Sequence, residues 1–124
     1  MGDTIRRRGV NISSEQLTAE ISRYPGIERC AVIGVPSELG DEEILAAVVL
    51  KAQAPAPDVA APAIVAFLID RLARDQVPRY IEFATSLPLT DTGKVKVADV
   101  RRQPRRGPVW DRTIGAWTTA FAGR

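Results

Sequence analysis

The chain has 124 residues, 45% of them hydrophobic, and 17 Lys and Arg against 15 Asp and Glu leave a formal net charge of +2, which fits one domain with a modest core and not a large multi-domain enzyme. Histidine is absent; this excludes Ser-His-Asp triads, imidazole bases and most zinc sites, so acid, lysine or backbone chemistry remains and no metal site is expected. One cysteine allows no disulfide within the chain, and no leader-like start or run of ~18 apolar residues is present, so a soluble, cytoplasmic domain is expected.

In chain order, the cationic triplet Arg6-Arg7-Arg8 comes first, echoed later by Arg101, Arg102, Arg105 and Arg106. Such clusters serve a phosphorylated ligand, nucleic acid or plain solubility. No aromatic residue interleaves with the triplet, so a base-stacking surface for nucleic acid is not supported. Ser13, with Gln16 three residues on, reads as a capping box. Leu17, Ile21 and Tyr24 then recur at helical spacing until Pro25-Gly26 stops the helix.

Arg29 to Val35 is short and β-branched-rich, hence a strand, and Cys30 within it reads as a buried residue and not a nucleophile. Pro36 to Glu43 is a polar connection with Gly40-Asp41 whose acidic residues are expected to do no more than solvate it. Ile44 to Lys51 is a second strand, and the two make an antiparallel hairpin. Ala52 to Pro62, rich in alanine and proline, reads as a surface linker. A second helix is predicted from Ala63, with Ile64, Leu68 and Leu72 on one face, and a third strand from Tyr80 to Ala84. The expected architecture is a small, compact α+β domain: a β-hairpin and a three-stranded sheet flanked by helices.

Residues 88 to 96, Pro-Leu-Thr-Asp-Thr-Gly-Lys-Val-Lys, set Lys94 on a Thr-Gly turn ahead of a basic, helix-competent segment. Lysine supplies a compact, mobile charge with three donors, suited to a carboxylate and a phosphate meeting in one transition state. Gly93 opens backbone conformations closed to other residues, so the lysine can stand at a sharp corner. Standing alone, such a turn is a solvated loop. It is not a phosphate-cradling loop of the G-x-x-x-x-G-K-[ST] kind, because the first glycine is missing and Val95 replaces the magnesium-binding hydroxyl. Beyond Arg102 the composition turns to Gln-Pro-Arg-Arg-Gly-Pro and then to Trp110 and Trp117, so residues 1–102 are taken as the domain and 103–124 as a tail. The two tryptophans are expected to dock on this domain or on a partner domain.

The Lys94 motif is preceded, in order, by Asp-Thr-Ile-Arg-Arg-Arg-Gly-Val-Asn-Ile-Ser at 3 to 13 and Val-Pro-Arg-Tyr-Ile-Glu-Phe at 77 to 83. Together the three segments, covering Asp3 to Arg102, resemble the C-terminal domain of the adenylate-forming acyl-CoA synthetase superfamily. The Trp-Asp-Arg element at 110 to 112 is similar to tails in the carnitine/crotonobetaine-CoA ligase branch. The pattern departs at Val10, where many members have glutamate, and at Arg8, where many have glycine.

The resemblance implies an AMP-forming acid–thiol ligase acting in two steps, with ATP, Mg2+ and CoA used by the full-length enzyme. It implies a large N-terminal adenylation domain as partner, which would carry the ATP loop, the metal ligands and the pocket for the carboxylic acid substrate. Lys94 would be the adenylation lysine, supported by Thr92 and Gly93. After rotation about a hinge that falls at Gly2, the loop of Arg6, Arg7, Arg8, Gly9 and Asn11 would line the CoA and pantetheine channel. The alternatives are an adenylation-domain piece that loads a carrier protein, or a non-catalytic binding module keeping the same fold; the isolated chain is expected to be inactive.

Overall fold

The computed structural model describes residues 4–38, 40–105 and 107–119. Gly2 and Asp3, near the hinge that the resemblance implies, and Arg106 of the second arginine cluster lie outside the described residues. The first two strands, β1 (Thr4–Arg7) and β2 (Val10–Ser13), form a small antiparallel hairpin, and α1 (Ser14–Ile21) follows at once. The Ser13 side chain accepts from the Gln16 amide at 3.2 Å, the expected N-cap.

The main sheet is built on β3 (Ile27–Pro36) and β4 (Glu42–Leu50), the predicted hairpin, paired antiparallel from Ile27↔Leu50 to Pro36↔Glu42. Next comes α2 (Pro57–Ile69), and then β5 (Tyr80–Phe83) lies parallel to β4. Helix α3 (Val97–Arg102) follows the lysine motif. Two strands from the tail, β6 (Val109–Asp111) and β7 (Ala116–Thr118), continue the sheet, so its order is β3-β4-β5-β6-β7. The three expected main-sheet strands are present, and the tail raises their number to five.

Helix α2 begins six residues earlier than the apolar spacing suggested and absorbs part of the presumed linker. Pro57 occupies the first turn, where a missing N–H costs nothing and the fixed φ favours the helix. Pro62 lies inside the helix, where burial of Ala60, Ala61, Ile64 and Leu68 outweighs the loss of one hydrogen bond.

Alternation along β3 and β4 divides the core in two. Cys30, Val32, Ile44, Ala46 and Val48 face one layer with Ile5, Ile12, Leu17, Ile21, Ile64 and Leu68, so β1-β2, α1 and α2 cover that side. Ala31, Ile33, Val35, Leu45, Ala47 and Val49 face the other, against Leu87, Val100 and Val109. A strand buried on both faces reads as an unbroken apolar run, as 30–35 and 44–50 do. Strand β3 is an edge, and α1 shields it: the Ser14 hydroxyl donates to the Val32 carbonyl, and the Val32 amide donates to Thr18 Oγ1 at 3.3 Å. Trp117 packs on Trp110 (ring centroids 5.5 Å apart) and on Phe83 (5.9 Å), and its Nε1 donates to Asp58 on α2 at 2.8 Å. Both tryptophans therefore dock on this domain.

Candidate functional site

The lysine motif folds as a tight hairpin closed by a bridge between Leu89 and Val95. Its turn is held by its own residues. The Thr90 amide donates to the Lys94 carbonyl at 2.7 Å and the Gly93 amide to the Thr90 carbonyl at 3.0 Å. The Lys94 amide donates to Thr90 Oγ1 at 3.1 Å, and that hydroxyl also meets Thr92 Oγ1 at 3.1 Å. Gly93 has φ +87°, a conformation that a Cβ disfavours. Lys94 is thus fixed at its backbone while its side chain is exposed. One long-range bond places the turn: Arg29, on β3, donates from Nη1 to the Gly93 carbonyl at 3.1 Å. Val95 and Val97 pack against the core face that holds Leu87 and Val100.

The arginine motif is the turn between β1 and β2. Arg7 pairs with Val10, leaving Arg8 (φ +52°) and Gly9 (φ +80°) as the two central residues, both left-handed as a two-residue hairpin turn of type I′ requires. Arg8 therefore holds a conformation that glycine adopts freely, at the position where the resemblance has glycine in many members. Partners far along the chain hold it there. Asp41 accepts from the Arg8 amide at 2.5 Å, and Glu42 accepts from the Arg6 amide at 2.9 Å. Glu43 accepts from Arg7 Nε at 2.7 Å, with both side chains 11% exposed. Arg7 also donates to the Asp75 carbonyl at 3.2 Å. Backbone bonding to Arg8 is the chief cause that holds the Asp41 carboxyl below its ordinary range.

These contacts correct one expectation: the acidic residues of the β3-β4 connection do not merely solvate it. Asp41, Glu42 and Glu43 clamp the Arg6-Arg7-Arg8 triplet, and Arg7 is committed to Glu43. Arg6, Arg8, Gly9 and Asn11 remain exposed. The sequence carried the signal, three consecutive cations and three consecutive anions, but nothing in the spacing tied one triplet to the other.

The two turns lie far apart. Arg29, which binds the lysine turn, and Pro36, beside the connection that binds the arginine turn, are seven residues apart on β3, or roughly 23 Å at about 3.3 Å per residue. They also lie toward opposite faces of the sheet, since Ile5 and Ile12 pack with one core layer and Val95 and Val97 with the other. Thr92 and Gly93 sit with Lys94, whereas Arg6, Arg7, Arg8, Gly9 and Asn11 form the second group.

Among the described residues no group of three or more His, Cys, Asp or Glu could hold a metal ion. The described residues offer no such ligand set for Mg2+. No helix of the described residues is long and apolar enough to cross a membrane. Cys30 is buried; desolvation pushes its thiol up, opposed by the Ser22 hydroxyl 3.2 Å away.

Residues 18–94, ending on the lysine itself, match the AMP-binding enzyme C-terminal domain family. The chain belongs to that family. A feruloyl-CoA synthase of Amycolatopsis is 40% identical over 101 residues, which are 82% of this chain and 20% of the relative. A crotonobetaine/carnitine–CoA ligase of Proteus mirabilis is 37% identical over 91 residues, 73% of this chain and 17% of the relative. Among solved structures, a Mycobacterium tuberculosis fatty acyl CoA synthetase superposes with a TM-score of 0.71 at 32% identity, covering 82% of this chain and 19% of that one. The chain thus spans about a fifth of the length of such relatives. The matched segment is the C-terminal domain of AMP-binding enzymes, and the relatives named are CoA ligases and synthetases.

Proposed function

We propose that this domain serves both steps of an AMP-forming acid–thiol ligase, offering Lys94 to the first and the Arg8-Gly9 turn to the second. In the first step a carboxylate oxygen attacks the α-phosphorus of ATP, and the bond to pyrophosphate breaks to leave an acyl-adenylate. Negative charge gathers between the carboxylate and the phosphate. Lys94, fixed at the backbone and free at its ammonium, bridges the two and neutralises that charge. In the second step a thiol sulfur attacks the acyl carbonyl, and AMP leaves. Gly9, with no side chain, lets the pantetheine arm pass, while Arg6 and Arg8 face the phosphates of CoA and Arg7 keeps the turn in shape.

One observation carries this reading: the lysine turn is tied to Arg29 at one end of β3 and the arginine turn to the acidic connection beyond Pro36 at the other, residues roughly 23 Å apart along the strand, and the elements that carry the two turns pack on opposite core layers. A rigid domain cannot bring both to one reaction centre at once. It must turn between the steps, with the backbone change absorbed at a hinge outside it. The adenylation domain that would hold the nucleotide, the magnesium and the carboxylic acid is the partner in this reading.

The test is a separation of half-reactions in the full-length enzyme. Lys94→Ala is expected to abolish ATP–pyrophosphate exchange while thioester formation from pre-made acyl-adenylate persists. Equal losses in both would remove Lys94 from the chemistry. The 124-residue chain alone is expected to release no pyrophosphate from ATP, and turnover by it would overturn the assignment of a half-site.

A further inference from the structure

We propose that the C-terminal β6-β7 hairpin positions the Arg8-Gly9 turn for the thiol step through a relay of alternating charges, Asp111–Arg79–Glu43–Arg7. The inference rests on the thiol-step reading given above and adds positioning residues to it. Asp111, at the end of β6, binds the Arg79 guanidinium in two places, Oδ1 to Nε at 3.2 Å and Oδ2 to Nη2 at 3.3 Å. The same guanidinium reaches Glu43 Oε2 from Nη1 at 3.5 Å, and the other oxygen of Glu43 holds Arg7 Nε at 2.7 Å. Arg7 is the residue before the turn. Each link alternates in sign, so each ion is flanked by its opposite.

Burial makes this more than a surface arrangement. Asp111, Glu43, Arg7 and Arg79 have side chains only 6%, 11%, 11% and 20% exposed. Exposed ion pairs contribute little, but half-buried, multiply bonded ones lose markedly when one member is removed. The tail end is anchored. Asp111 Oδ1 also accepts from the Thr113 amide at 3.0 Å and from its hydroxyl at 2.7 Å, which fixes the carboxylate. Arg112, the next residue, donates its amide to the Arg79 carbonyl at 2.8 Å and its Nε to the Pro78 carbonyl at 3.0 Å, so the tail strand and the backbone around Arg79 move as one. A cavity of about 160 Å³ opens where the relay meets the turn, lined by Arg7, Arg8, Ser37, Glu38, Glu43 and Arg79 among others.

Among the described residues nothing comparable reaches the lysine turn, whose bonds are local apart from that of Arg29. Asp111 lies outside the segment that matches the family, residues 18–94. Among the described residues the tail's ion pairs and hydrogen bonds therefore lead to one of the two turns and not to the other.

Two measurements on the same variants test this. In the 124-residue chain, Asp111→Asn keeps the shape of the side chain and removes its charge. Hydrogen exchange at the Arg6 and Arg8 amides is expected to quicken by about tenfold, the equivalent of one weakened charge-assisted bond, while the Lys94 amide is unchanged. In the full-length enzyme the same change is expected to raise the KM for CoA by about tenfold, with ATP–pyrophosphate exchange within about twofold of wild type. Arg79→Lys keeps a charge but cannot span Asp111 and Glu43 together, and it is expected to repeat both effects should Asp111→Asn fail to fold. Unchanged exchange at Arg6 and Arg8 overturns the relay itself, whatever the enzyme does. Faster exchange with an unaltered KM for CoA leaves the relay standing and overturns the role of the turn in the thiol step, and with it that part of the proposed function.

Discussion

The lysine turn and the arginine turn are both short hairpin corners with a left-handed glycine, yet they are stabilised from different distances. Thr90, Thr92, Gly93 and Lys94 close their own corner with bonds no more than four residues apart in sequence. The arginine corner is closed by Asp41, Glu42 and Glu43, which lie 33 to 36 residues away. A locally closed turn keeps its shape whatever the rest of the domain does. A turn closed from a distance reports on the domain, because any shift of β4 or β5 reaches it. That difference suits the two tasks proposed for them, a fixed charge for one transition state and an adjustable wall for a passing thiol arm.

The largest way to sharpen the contrast is Lys94→Ala in the full-length enzyme. Losing one charge-assisted contact made in the transition state should lower the adenylation rate by about 10² to 10³, while the local turn and the stability of the domain stay as they are, because the side chain is exposed. Single-turnover rates and urea unfolding on one preparation check both halves. A large stability loss would mean that the lysine turn is not the self-contained unit described.

A smaller but more discriminating comparison is Gly9→Leu against Gly9→Asn. At φ +80° any Cβ strains the backbone, yet space around Gly9 is open, with nothing within 4 Å of a Cβ placed there. Asparagine tolerates left-handed backbone better than leucine, for which the conformation costs about 1–2 kcal/mol. Obstruction of the thiol arm predicts that both variants slow thioester formation, leucine more, with ATP–pyrophosphate exchange nearly intact. If asparagine is harmless and leucine lowers both half-reactions, strain and not obstruction is the cause.

The same contrast in distance explains which features were legible in the sequence. Helix α1 announced itself through Ser13 and Gln16, and β3 and β4 through unbroken apolar runs, because those signals lie within a few residues of what they fix. The turn of Thr92, Gly93 and Lys94 was legible for the same reason. The start of α2 was not, since Pro57 and Pro62 read as breakers and only burial of Ala60 and Ala61 against the sheet reveals the helix. Strands β6 and β7, three residues each, are too short to show a period of two. The clamp of Asp41, Glu42 and Glu43 on the arginine triplet, and the pairing of Arg79 with Asp111, depend on which strands become neighbours, and no local pattern states that.

Acid should act on one turn and spare the other. The Asp41 carboxyl is held below its ordinary range, chiefly by the Arg8 amide and then, against a desolvation cost, by the Ser37 hydroxyl. A depressed carboxylate adds stability that is fully present above the ordinary aspartate range and is lost as pH falls through the lower, folded value. Thermal unfolding of wild type and Asp41→Asn should therefore differ at neutral pH and converge below that range. Protection of the Arg8 amide, taken relative to the intrinsic exchange rate at each pH, should fall over the same interval while that of the Lys94 amide holds. A stability difference independent of pH would show that the Asp41 charge does not hold the turn.

The smallest expected effects come from exchanging the two backbone solutions. Gly93→Ala puts a Cβ at φ +87° in open space, so its cost is strain of about 1–2 kcal/mol, of which the reduced freedom of the unfolded chain returns about 0.4–1 kcal/mol, and urea midpoints should fall slightly. Arg8→Gly does the reverse, relieving a residue held at φ +52°. The relief is about 1 kcal/mol or a little more, and the added freedom of the unfolded chain takes back about 0.4–1 kcal/mol. The net change should be close to zero or slightly stabilising. Because Asp41 grips the amide and not the guanidinium, the clamp survives the substitution. A loss of more than about 1 kcal/mol in Arg8→Gly, beyond the entropy of an added glycine, would mean that the Arg8 side chain itself holds the turn, and the division between a locally closed corner and one closed through its backbone from β4 would have to be redrawn.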